Sequence, residues 1–138
     1  MSPSCIFCEI ARGTAHAAVV VREGGFAAFL DARPVFKGHV LVVPAEHVPD
    51  LAALPEESVG PLFSLARRIA LAVEAAFGSG GAFLCLNNKV SQSVAHVHVH
   101  VVPRTKGDGL RGFLWPRTKY ASDDEAQDYA RRISAALK

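Results

Sequence analysis

Residues 94–103 read VAHVHVHVVP, and no other run constrains the chain as tightly. His96, His98 and His100 alternate with Val97, Val99 and Val101. A period of two in a β-branched run is a strand signal. It puts three imidazoles on one face, successive ones roughly 6–7 Å apart. The valines take the other face, where a helix or a second layer must cover them. On a helix the same positions would point in different directions, so the spacing predicts a site as well as an element.

The flanking sequence supplies the rest of a sheet. Residues 18–23 are valine-rich, Gly24-Gly25 suits a tight turn, and residues 26–30 return as a second strand. HVLVVP, residues 39–44, is a third strand stopped by proline. From Leu54-Pro55 to about Phe77, Val59, Leu62, Phe63, Ala66, Ile69, Ala70 and Val73 recur at helical spacing, with Phe63 read as core. Glu56 and Glu57 suit its positive dipole end, and residues 78–81 supply the turn that ends it. Residues 82–86 are a fourth strand with Cys85 buried as a small hydrophobe, and the histidine run is the fifth. Residues 104–120 are glycine-rich and basic, without period. Residues 123–137 form a closing helix capped by Ser122 or Asp123, with Ala126, Tyr129, Ala130, Ile133 and Leu137 on its apolar side. The expected class is α+β: a five-stranded, mainly antiparallel sheet, one long covering helix and a C-terminal helix. No internal repeat or second domain shows, so residues 1–138 read as one domain.

Bulk properties narrow the function. A chain of 138 residues, half of them hydrophobic, can bury a real core. A net charge of +2 gives little reason to expect a nucleic-acid partner. No apolar run is long enough to span a bilayer, and MSPSCIFCEI lacks the pattern of a secretory signal. Three cysteines, an odd count, argue against a disulfide scaffold. The expectation is a soluble cytoplasmic protein.

Two chemistries compete for the histidine row. Three imidazoles can hold a catalytic zinc with an open position for water. Alternatively an end histidine touches metal and the central one is a nucleophile. A neutral imidazole attacks phosphorus well, giving a phosphoramidate that water can open. His100, Gln92 and Ser93 are then placed to donate hydrogen bonds to non-bridging oxygens. There is no glycine fingerprint of a nucleotide-binding loop and no carboxylate cluster for magnesium. Cys5 and Cys8 form CIFC, which suits zinc ligation, a redox pair, or two small buried side chains. Two further ligands would favour a four-ligand structural zinc. Asp31, at the end of the second strand, caps a turn or accepts hydrogen bonds from a ribose diol. His39 and His47 border the third strand.

QSVAHVHVHVV, GHVLVVPAEH and CIFC together resemble the histidine triad (HIT) family of nucleotide hydrolases and transferases, across residues 5–104. The resemblance implies that His98 is the nucleophile on an α-phosphorus. It implies that His100 binds the α-phosphate and helps the leaving group, that His39 supports this pair, and that Asp31 holds ribose. It also implies a structural zinc on Cys5, Cys8, His47 and His96, as in bacterial-type members. That takes His96 out of the catalytic row. Members commonly form homodimers, and a small sheet has edges to protect.

The segment NNKVSQS is shorter than the family's turn before the glutamine, so Asn87 or Asn88 is the candidate substrate contact there. The expected substrate is a purine nucleotide carrying a leaving group on its α-phosphate. The base would lie against Ile6, Phe7 or Leu30. Arg104, Lys106, Arg111 and Arg117 could take a second phosphate chain, favouring a dinucleoside polyphosphate hydrolase, or be solvated loop charges, leaving a nucleoside phosphoramidase. The competing class is a catalytically silent nucleotide-binding or sensor module.

Overall fold

A computed structural model of the chain describes residues 4–110 and 117–138. Its elements are α1 (Ile6–Arg12), β1 (Val19–Glu23), β2 (Phe26–Leu30), β3 (Val40–Pro44), α2 (Glu56–Phe77), β4 (Gly81–Cys85), β5 (Val99–Arg104) and α3 (Asp123–Ala136). The fold is α+β, as the pattern predicted. The sheet order is β1-β2-β3-β5-β4, and every neighbouring pair is antiparallel. Gly24 and Gly25 both have positive φ, 58° and 84°, the backbone that a two-residue hairpin turn requires.

The last strand in sequence is inserted between β3 and β4, so β5 has partners on both edges. On one face Val97, Val99 and Val101 join Val40, Val42 and the α2 residues Leu62, Leu65, Ala66, Ile69, Ala70 and Val73 in the main core. On the other face Phe7 and Ile10 of α1 pack on Ala27, Phe29, Leu41 and Val43. The histidines emerge on this second face.

Three sequence expectations need correction. The fifth strand begins at Val99, not at residue 94. Upstream, Val97 N–H donates to the Val48 carbonyl, and the Pro44 carbonyl is taken by the His96 ring, so no β3 ladder remains for His96 and His98. Their alternation with the valines survives without that ladder. Phe63 and Val59 are 44% and 42% exposed and are not core. The buried stripe of α2 follows Leu62, Leu65 and Ile69, and Phe63 lies roughly 90° round the helix from its middle. Leu65, which the periodic pattern passed over, takes that place. Cys85 is half-buried and pairs with His100 across the ladder. The first helix starts at Ile6, so Cys5 is its N-cap and Cys8 lies within its first turn.

The chain divides into two compact units, one ending at Asp108 and the other running from Gly109 onward. In the second unit Ser122 caps α3: its Oγ accepts Glu125 N–H, and the Glu125 carboxylate reaches back to accept the N–H of Ala121, the residue before the cap. The helix stops at Ala136, one residue short of the expected end, and none of its side chains is buried. No helix among the described residues is long and apolar enough to cross a membrane.

Candidate active site

Two imidazole clusters grow from the same run of sequence. The first gathers Cys5, Cys8, His47 and His96, whose ligand atoms all lie within 4.8 Å of one another. The α1 N-terminus brings the two thiols onto one side, and the loop after β3 brings His47. Sγ of Cys5 lies 3.4 Å from His96 Nδ1; Sγ of Cys8 lies 3.4 Å from His47 Nδ1 and 3.5 Å from His96 Nδ1. A tetrahedral zinc with ordinary Zn–S and Zn–N bonds separates sulfur from nitrogen by about 3.5 Å. His96 is fully buried, and its Nε2–H donates to the Pro44 carbonyl at 2.8 Å. A carbonyl only accepts, so the proton is fixed on Nε2 and the Nδ1 lone pair is left for a metal. Burial and the neighbouring Cys5 push the Cys8 thiol up, which a bound cation would reverse. The donor set fits zinc.

The second cluster is built from His39, His98, His100 and Asp31. His98, 3% exposed, has Phe7 edge-on at 5.0 Å and His100 at 4.9 Å between ring centres. Its Nδ1 is 2.7 Å from the His96 carbonyl oxygen. The proton therefore sits on Nδ1, and Nε2 carries the free lone pair that a nucleophile needs. His39 Nδ1 accepts the Val35 N–H at 3.1 Å, so in the neutral ring Nε2 carries hydrogen. That Nε2 lies 3.0 Å from His100 Nδ1. Burial lowers the His39 pKa against the opposing charge of Asp31. Burial first, then His98 and His39, lower that of His100 to about 4. Both rings are neutral at pH 7, and the chain of partners leaves His100 with its remaining proton on Nε2. One imidazole is set as an acceptor and its neighbour as a donor.

Asp31 closes a turn, one of the two roles its sequence position allowed. Oδ1 accepts Arg33 N–H at 2.8 Å, while Oδ2 lies 3.7 Å from His39 Nε2. Asp31 also lines a cleft of about 530 Å³ with Ile6, Phe7, Ile10, Phe29 and Leu30. This brings together the four residues singled out for ribose and base, and adds Ile10 and Phe29. The helical spacing of Ile6, Phe7 and Ile10 was the available signal for Ile10. Val35 N–H and the Pro44 carbonyl, which set the tautomers, are backbone groups that residue types do not reveal.

Other candidates are engaged elsewhere. Gln92 spends its amide on the loop: its oxygen accepts Lys89 N–H and its nitrogen donates to the Pro49 carbonyl at 2.7 Å. Asn88 accepts Leu51 N–H, and Asn87 donates to the Ser91 carbonyl. The shortened loop holds Lys89 and Ser91 at φ 70° and 61°, a conformation side chains rarely adopt. These bonds are what brace it. Ser93 is exposed beside Cys5 and His47. Arg104 forms a bidentate pair with Asp108, so its charge is matched within its own turn. Lys106 and Arg117 are exposed, and Arg111 lies outside the described residues.

Comparison with known proteins bears on the same features. A family model described as the HIT domain matches residues 12–107. A HIT family protein from Bacillus anthracis superposes with a TM-score of 0.88 over 100% of both chains, at 34% identity. A zinc-bound histidine triad family protein from Mycobacterium smegmatis, also 34% identical, gives 0.75 over 96% of this chain and 97% of that one. An adenosine 5'-monophosphoramidase of Schizosaccharomyces pombe is 31% identical over 137 residues, 98% of this chain and 99% of its own.

Proposed function

Because the chain belongs to the histidine triad family, with that family's hydrolase and transferase chemistry, we propose that it cleaves purine nucleotide conjugates at the α-phosphate through a nucleotidyl-His98 intermediate. The observation that carries this reading is the opposed tautomers of His98 and His100. His98 Nε2 attacks the α-phosphorus, and the bond from phosphorus to the leaving group breaks. His100 Nε2–H donates to a phosphate oxygen as charge builds there, and assists the departing group. Water then attacks the phosphoramidate, releasing the nucleoside monophosphate and restoring free His98. Asp31 accepts from the ribose hydroxyls, and the apolar cleft takes the base.

Cys5, Cys8, His47 and His96 would hold a structural zinc that ties α1 to the end of β3 and to the start of the histidine run. Bound there, the metal supplies rigidity and not an activated water, since all four positions are protein ligands. A phosphoramidate is the favoured substrate over a dinucleoside polyphosphate. Arg104 is already paired, and the Schizosaccharomyces pombe relative is named a monophosphoramidase. Two copies are proposed to pair in solution: β1 and β4 are sheet edges, and Val59, Phe63, Leu71 and Leu84 are exposed.

The test is turnover of adenosine 5'-phosphoramidate and diadenosine tetraphosphate by the wild type and His98→Ala. AMP release lost in the variant, with an adenylyl adduct on the wild-type peptide carrying His98, supports the mechanism. No release from either substrate, with AMP still bound, would leave a silent binding module.

A further inference from the structure

Five of the six histidines lie in the two clusters. The sixth, His16, lies between α1 and β1 and lines the same cleft as Asp31. It stands two residues before Ala18, whose carbonyl accepts Leu30 N–H at 2.9 Å. That hydrogen bond ties the His16 segment to the end of β2, where Leu30 leads into Asp31. Ile6, Phe7, Ile10, Phe29 and Leu30 make the walls of the cleft apolar. Among the described lining residues, His16 and Asp31 are the two whose side chains form strong hydrogen bonds. Asp31 is held against His39, at the catalytic end. His16 is exposed, and no partner among the described residues occupies its ring.

A nucleobase has apolar faces and a polar edge. Walls of this kind satisfy the faces and leave the edge atoms short of partners. We propose that His16 is a specificity-determining residue of the cleft, hydrogen-bonding the polar edge of a purine whose ribose is held by Asp31. The proposal rests on the nucleotide reading above and deepens it. An imidazole suits the task because it offers one donor and one acceptor in the same plane. It makes the cleft select among purines by their edge groups, and not only by ring size.

Calorimetric binding of AMP, GMP and purine riboside 5'-monophosphate, which lacks an exocyclic group, tests this on the intact protein. The wild type is expected to bind at least one of AMP and GMP more tightly than the bare analogue, by roughly three- to tenfold. His16→Ala and His16→Phe should each bring the favoured nucleotide down to the analogue's affinity while leaving the analogue's own affinity close to wild type. Retention of wild-type discrimination in both variants overturns the proposal. So does equal weakening of all three ligands, which would place His16 on the sugar or the ring face. If the wild type binds none of the three, the nucleotide reading falls and this inference with it. Binding without discrimination in the wild type sinks this inference alone.

Discussion

His96 and His100 stand four residues apart on one run, yet their rings are set for opposite work. At His96 the Pro44 carbonyl holds the proton on Nε2 and leaves Nδ1 open toward two thiols. At His100 the His39 ring supplies hydrogen to Nδ1 and leaves the proton on Nε2. Residue type does not separate a metal ligand from a hydrogen-bond donor here; the partner of the other nitrogen does. The same logic explains why a second group of potential ligands is not read as a metal site. The ligand atoms of Asp31, His39 and His100 also lie within 4.8 Å of one another. The Val35 N–H, however, occupies His39 Nδ1, so Nε2 keeps its hydrogen and has no lone pair to give. The geometry of one cluster suits a cation, and that of the other suits a chain of hydrogen bonds through its rings.

If the two clusters have separate duties, removing a member of each should break different properties. His98→Ala is expected to lower turnover by about 10⁴-fold or more while keeping metal content and melting temperature close to wild type. Cys8→Ser should do the reverse: lose the bound zinc and roughly 10 °C of melting temperature. Metal analysis of protein purified without chelator, with thermal denaturation of each variant, reads both. A wild type holding less than about 0.2 zinc per chain at full stability would dissolve the distinction.

His39 sharpens the comparison because, under the proposed mechanism, it would act on substrate only through another ring, that of His100. His39→Leu removes the hydrogen donated to His100 Nδ1 and frees that ring to choose its tautomer. We expect kcat to fall by about 10²-fold. His39→Gln, which keeps an N–H donor at the end of its side chain, should recover part of that loss. Nitrogen NMR of His100 should report the proton on Nε2 in the wild type and a tautomer mixture in His39→Leu. An unchanged His100 spectrum in His39→Leu would show that the relay does not set the donor.

Much of this arrangement was legible in the sequence, for physical reasons that also mark where legibility stops. Alternation of histidine with valine survives any strand assignment, because the valines must reach the α2 core whether or not a ladder forms around residues 96–98. The four thiol and imidazole residues, and the cleft of Ile6, Phe7, Leu30 and Asp31, were reached through residue type and the family resemblance. The failures have another origin. Phe63 matched the helical stripe by hydrophobicity, but an exposed large side chain on a helix flank has the same composition as a buried one. Gln92 and Asn88 are engaged with the backbone of a loop whose shape depends on two non-glycine residues at positive φ. The tautomers depend on backbone groups of Val35, Pro44 and His96, and no pattern of side chains encodes those.

Gly38 tests how firmly the fold holds the second cluster. It has φ 98°, and a Cβ there would fall 2.9 Å from the Phe77 ring at the end of α2. Its successor is His39. Gly38→Ala must therefore move either Phe77 or the start of β3, at a cost of about 1–3 kcal/mol. Urea denaturation should show that loss, together with reduced kcat and unchanged zinc content. Reduced zinc with full kcat would mean that the strain is relieved toward the metal cluster instead.

The smallest expected effect concerns pH. The ordinary histidine value is 6.5, and folding lowers that of His100 to about 4, by burial first and then by the neighbouring imidazoles. His39 moves in the same direction, by burial. Between these pH values the unfolded chain binds more protons at these positions than the folded one. Their contribution to stability is therefore fully present above 6.5 and is lost as pH falls toward 4. If the first cluster holds the proposed zinc, acid would release it as well, so the wild-type curve alone would mix both losses. His100→Asn separates them: it keeps the metal ligands and removes one of the buried rings that resists protonation. Melting temperature plotted from pH 6.5 down to 4.5 should fall less steeply in His100→Asn than in the wild type. Equal slopes would assign the acid sensitivity to the metal cluster, and would mean that burial does not hold His100 neutral in the folded protein.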